Sequence, residues 1–340
     1  MAFKNCNVSL YALIALLGTG GVAEAQAPLG SRAAGLAGAF VGVADDASAV
    51  YWNPAGLATG AIVSFVASFS DDRTVPDDVQ TAAGERHTGA IVALSLPPVG
   101  LAYYRIGAYA TSAVTGSLSR EEVRRSVQAL TTSTVGVSLL HSLTDHIVVA
   151  VTPKIVHGSA AHAVSDALLA SDALNAAEDL DREGETTYDV DAAVMIAVER
   201  IRFGLVARNL TTPAFAAAPA GRPGEDGGEI ELAREVRAGV AWGSQWPGNS
   251  RVTLSLDADL TERVTPFGDR RDVAAGVETW SSNRRLALRG GARRSTTGEA
   301  RGAVTGGASY AVRPSIFVEG HVAVGARSER GWSVGVRAGF

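Results

Sequence analysis

From about residue 61 to the end, apolar and polar positions alternate with a period of two, in stretches of about ten residues separated by turns or loops. At the C-terminus Trp332, Val334, Val336, Ala338 and Phe340 share one face, and Ser333, Gly335, Arg337 and Gly339 the other. Val252, Leu254, Leu256, Ala258 and Leu260 alternate in the same way with Arg251, Thr253, Ser255, Asp257 and Asp259. Val190, Ala192, Val194, Ile196 and Val198 form a third such row. A strand turns successive side chains to opposite faces, so each stretch reads as a β-strand between two different media.

About 14 segments follow this rule: 61–70, 87–96, 101–112, 131–142, 147–157, 186–198, 201–209, 231–243, 250–260, 271–279, 285–294, 301–310, 315–324 and 332–340. The gaps at 71–86, 113–130, 158–185, 210–230 and 261–270 are long, and those between them are short. Long loops on one rim and tight turns on the other belong to transmembrane β-barrels. A soluble sandwich or propeller is the competing architecture. Its dry core could not accept a face carrying Arg289, Arg293, Arg301, Glu319, His321 and Arg337, whereas a polar lumen can. The expected fold is therefore all-β, a transmembrane antiparallel barrel of about 14 strands. Phe340 at the end of an alternating strand fits the terminal signal of such barrels. Several aromatics, among them Tyr51, Trp52, Trp242, Trp246, Trp280 and Trp332, stand where an interfacial girdle would put them.

The N-terminus differs from all this. Residues 1–25 have the form of a secretory signal peptide: Lys4, an apolar run from Leu10 to Leu17, and a small-x-small site at Ala23-Glu24-Ala25. The run is too short for the roughly 20 residues of a membrane helix. Gly35 to Leu57 then reads GLAGAFVGVADDASAVYWNPAGL. Small residues allow close backbone packing, Asp45 and Asp46 are able to cap a turn or helix, and Pro54 disfavours a helical Asn53. A compact, capped helix–turn element would account for the stretch by itself.

The Ala44-Asp45-Asp46-Ala47 and Asn53-Pro54-Ala55 boxes, after a Gly/Ala-rich run, also resemble the N-terminal plug of the FadL-type outer-membrane transporters. The resemblance implies a plug at 26–60 inside a barrel at 61–340. It also implies passive uptake of a hydrophobic, fatty-acid-like molecule, with an apolar pocket and a lateral release path. Asp45, Asp46, Asn53, Pro54 and Ala55 would be the gate. The spacing in the loop at 158–185 predicts an amphipathic helix with Leu169, Ala173, Ala176 and Leu180 on one face, and the resemblance implies that this face is a capture surface for the ligand. This chain is shorter than typical transporters of the family. Some short relatives serve protein secretion, so the alternative partner is an exported protein.

Other chemistry finds no footing. The single cysteine, Cys6, falls in the leader, and a formal net charge of −5 gives no reason to expect a nucleic-acid partner. The six histidines, His87, His141, His146, His157, His162 and His321, repeat no metal-ligand spacing. His141 and His146 bracket a turn, and His157 and His162 lead into the loop at 158–185. There is no G-x-S-x-G elbow and no recognisable nucleophile motif, so neither enzyme activity nor a cofactor is expected.

Overall fold

The computed structural model describes residues 29–75, 83–113, 125–165, 167, 169–180, 182–220, 228–244, 251–298 and 300–340. The leader and Trp246 lie outside these residues. Fourteen antiparallel strands each pair with their sequence neighbours. The first, Ser64–Thr74, also pairs with the last, Glu329–Gly339, in register from Ser64↔Gly339 to Thr74↔Glu329. The sheet is thereby closed and leaves no ladder edge, the condition for a β-structure in lipid.

All fourteen expected segments are strands, with two extensions worth naming. The fourth runs Arg125–Ser142 and the fifth Ile147–Ser165, so His162 stands in a strand and not in a loop. Strands from Gly84–Leu96 to Gly184–Val198 hold 13–19 residues, against 8–12 in the strands from Ile201–Arg208 onward. A tilted strand crosses a bilayer in about 9–11 residues, so the wall stands tallest on the N-terminal side, beyond the long-loop rim. There Ala214–Ala220 lies parallel to the fifth strand at residues 160–163, where its neighbour Gly184–Val198 has ended. Phe215, Ile230 and Leu232 cluster with Leu130, Val156 and Ala160, on the inward side of that wall.

Burial is inverted relative to a water-soluble protein. Val135, Ile155, Phe203, Leu254, Leu256, Leu288, Val318 and Val334 are exposed, while Arg202, Glu278, Arg289, Arg301 and Glu319 are buried. Outward side chains face the hydrocarbon layer and inward ones a polar interior, as the alternation requires. Among the described residues no helix is long and apolar enough to cross a membrane. The aromatic assignment needs correction at three positions. Tyr51 and Trp52 are buried in the plug, and Trp280 turns inward onto Phe317, with ring centroids 5.3 Å apart. Trp332 does face outward, 5.6 Å from Phe69.

Residues 29–57 fill the barrel, and every one of them is buried except the partly exposed Asp45. They form short helical turns at Ser31–Gly35, Ala49–Trp52 and Pro54–Thr59. Leu36, Phe40, Val41, Trp52 and Leu57 pack with wall residues that include Val66, Ile91, Tyr104, Met195 and Val206. Backbone touches backbone in places. A Cβ on wall Gly204 would sit 2.3 Å from the Val41 carbonyl oxygen, and one on wall Gly291 2.5 Å from the Leu36 carbonyl carbon. At both positions only glycine lets the plug approach so closely.

Candidate functional site

The polar contacts that join plug to wall centre on Arg32, in the short helix Ser31–Gly35. Its guanidinium makes a two-pronged pair with Glu278 on the wall, Nε to Oε2 at 2.9 Å and Nη2 to Oε1 at 2.8 Å. Nη1 donates to Asp45 and, at 3.2 Å, to Asp46 within the plug. Glu278 also accepts from wall Arg289 Nε at 2.7 Å and from Trp280 Nε1 at 3.0 Å. Fork-shaped donors suit carboxylates held in one plane, which is why arginine recurs here.

Asp45 reaches the wall directly as well, through Arg202 Nη2 at 3.2 Å; Arg202 donates in addition to Thr59 Oγ1. Burial pushes the Asp45 carboxyl up, but the Arg32 and Arg202 cations overcome that and hold it below its ordinary value. Asp46 has a different task. Its Oδ1 accepts from Ser48 N at 3.0 Å and Ser48 Oγ at 2.5 Å, which fixes the turn before Ala49–Trp52.

Asn53 is fully buried and extended, with φ −163° and ψ 93°, as a residue before proline prefers. Its Oδ1 accepts from Ala55 N at 3.2 Å and caps the turn Pro54–Thr59, with Pro54 at a first position that needs no N–H. Its Nδ2 donates to the Val41 carbonyl at 3.0 Å and to wall Val194 at 3.3 Å. The two boxes therefore meet the wall within one small region, while Pro54 and Ala55 contribute shape and burial.

Sequence reasoning missed most of the wall partners. Asp257 Oδ2 accepts from Phe40 N and Val41 N, both at 2.8 Å. Arg237 Nη2 donates to the Gly38 carbonyl at 3.1 Å, and Thr305 Oγ1 to that of Gly35 at 2.9 Å. Strand parity places all three inward. Nothing in the sequence says which plug atom each one meets.

The loop helix forms at Ala170–Glu178, but its packed face is Ala170, Ala173, Leu174 and Ala177, against Tyr109, Val127 and Ala129. Leu169 and Ala176 are exposed, and Leu180 is half-buried beside the cluster. Tyr109 shares its parity with outward Leu101 and Tyr103, so the helix lies on the outside of the tall wall and not across the mouth. Arg86 fastens it there through Glu178 at 2.9 Å.

Among the described residues, cavities of two sizes lie beside the plug. Toward the long-loop rim, voids of about 50 Å³ and about 20 Å³ are lined largely by charged and polar groups, with Lys154 held at 2.8 Å from Asp189 and 2.7 Å from Asp191 beside the second. At the short-turn rim, cavities of about 540 Å³ and about 400 Å³ lie on either side of Thr59. The larger is not the apolar pocket expected, because arginines and carboxylates share its wall with Trp280 and Phe317. No cluster of three or more metal-binding side chains occurs among the described residues.

A closed fourteen-strand barrel with an apolar outer surface, a charged lumen and an N-terminal plug is an outer-membrane β-barrel of the FadL-type fold. The CymD monoaromatic hydrocarbon channel is similar in structure with a TM-score of 0.61, at 12% identity, over 92% of this chain and 97% of that one. A FadL homologue of Pseudomonas aeruginosa is similar with a TM-score of 0.56, at 11% identity, over 91% and 97%. By sequence, the chain belongs to the family described as F plasmid transfer operon, TraF, protein, whose model matches residues 50–259. No curated protein sequence matches the chain.

Proposed function

We propose that the protein is a channel for passive uptake of hydrophobic small molecules across the outer membrane, with the segment around Asp45, Asp46 and Asn53 as its gate. The observation that carries this reading is the plug itself, which fills the lumen and meets the wall through exchangeable polar contacts at Glu278, Arg202 and Asp257. The voids of about 50 Å³ and about 20 Å³ toward the outer rim are too small for a hydrocarbon. Ligand sites usually need roughly 300–1,000 Å³, so passage requires the plug contacts to rearrange. The likeness in fold to the CymD hydrocarbon channel supports an apolar solute. No contact among the described residues favours an exported protein as cargo.

The test is uptake of toluene and of a fluorescent hydrophobic amine into proteoliposomes carrying the purified barrel. Wild-type barrels should speed entry above empty liposomes, and Arg32→Ala should change that rate or raise ion leakage. Entry equal to that of empty liposomes would overturn the channel reading. A rate and a leakage unchanged by Arg32→Ala would overturn the gate.

A further inference from the structure

The cavity of about 540 Å³ at the short-turn rim is lined by an unusual set of side chains for a simple exit. Trp280 and Phe317 meet edge to face in its wall, with ring planes 76° apart. Arg337 lies over the Phe317 ring at 4.6 Å and near Trp280 at 5.7 Å, and Arg284 lies 5.9 Å from the Trp280 centroid. Arg285 and Arg313 also line it, and neither has an ion pair among the described residues. The two carboxylates there are already engaged: Glu278 by Arg32 and Arg289, Asp45 by Arg32 and Arg202. The cavity thus carries an excess of positive charge. Arg337 donates through Nε to Glu319 at 2.9 Å, so Arg285 and Arg313 are the donors left open to the cavity.

We infer that this cavity is a binding site for a planar aromatic carboxylate, whose ring packs against Trp280 and Phe317 and whose carboxylate accepts from Arg313 and Arg285. Guanidinium planes stacked on rings offer flat, weakly hydrated faces, which suit a flat anion. A long acyl chain would need a continuous apolar groove, and Trp280, Phe317 and a few small residues do not make one. The inference rests on the channel reading for the source of the ligand only. Binding itself stands without transport.

The test is calorimetric titration of the purified, folded barrel with 2-naphthoate, its neutral methyl ester, dodecanoate and inorganic phosphate. 2-Naphthoate should bind saturably at one site per barrel, with the ester, dodecanoate and phosphate each weaker by roughly tenfold or more, as loss of charge-assisted bonds or of the ring contact requires. Arg285→Gln/Arg313→Gln should weaken naphthoate roughly tenfold while residues 29–57 stay resistant to protease. Ester binding equal to the acid overturns the site and needs no variant, so a misfolded double variant leaves the test intact. Phosphate or dodecanoate binding equal to naphthoate overturns the aromatic assignment. Absent naphthoate binding with toluene entry retained refutes this site alone, and the reverse pattern refutes the channel alone.

Discussion

Arg32→Ala is the most informative perturbation, because one side chain joins the plug to the wall and to two plug carboxylates. The substitution removes bonds of 2.9 and 2.8 Å to Glu278, one of 3.2 Å to Asp46, and the contact to Asp45. Breaking an isolated buried pair costs about 3–5 kcal/mol, since the surviving charge is stranded. Here no carboxylate is stranded. Glu278 keeps Arg289 and Trp280, Asp45 keeps Arg202, and Asp46 keeps Ser48. The expected loss is therefore smaller, about 2–3 kcal/mol, and it falls on plug docking and not on the barrel ladder. At 1.4 kcal/mol per decade, amide exchange within 29–60 should quicken roughly 30–140-fold in detergent, while strand amides stay slow. Glu278→Ala should act on the same segment. The double variant should lose less than the sum, because the two side chains form one network. Unchanged exchange in 29–60, or equal quickening of plug and strands, would refute the claim that Arg32 fastens a separable element.

Three further outcomes follow from the same geometry. Leu254→Arg, on the exposed row, should cost about 2–4 kcal/mol in a refolding titration, and Thr253→Arg, on the buried face, far less; equal costs would reverse the assigned faces. Asn53→Ala should cost about 1–3 kcal/mol locally, by leaving Val41, Val194 and Ala55 without their partner, and should alter permeability without lowering assembly yield; a fall in yield with normal permeability would make the residue a folding aid only. Because Asp45 is held below its ordinary value when docked, its contribution is complete above the free carboxyl range near about pH 4 and is lost as pH falls through the lower docked value. Plug exchange should therefore quicken on acidification in the wild type and respond less in Asp45→Asn; identical acid profiles would remove Asp45 from the docking contacts.

How far the sequence reaches is set by which medium each residue faces. Where a strand separates lipid from lumen, its outward row must be apolar, and all fourteen strands are legible from rows such as Leu254, Leu256 and Val334, Val336. Above the bilayer that demand ends. Residues 125–130 and 158–165 continue two strands with Ser, Gln, Gly, Ala and His, and their alternation is too weak to separate from a loop. The loop helix shows the same loss of signal: small alanines pack on Tyr109 and Val127, so the larger Leu169 misleads about which face is buried.

In the plug, the local half of the chemistry is readable and the distant half is not. Asn53 capping Ala55 and Asp46 capping Ser48 are contacts two residues apart, which a motif can carry. Arg32 and Glu278 are 246 positions apart and meet only because the barrel closes around the plug. That separation also divides the plug's attachments into two kinds. Contacts such as Gly204 against Val41 and Gly291 against Leu36 depend on shape at backbone range, and any tilt of the plug would open a void there. Charged contacts are more forgiving, since Glu278, Asp45 and Arg202 each keep another partner when one is lost. A gate working at this interface would therefore exchange its ion pairs first, at the partly exposed Asp45 end of the plug, before its glycine seam parts.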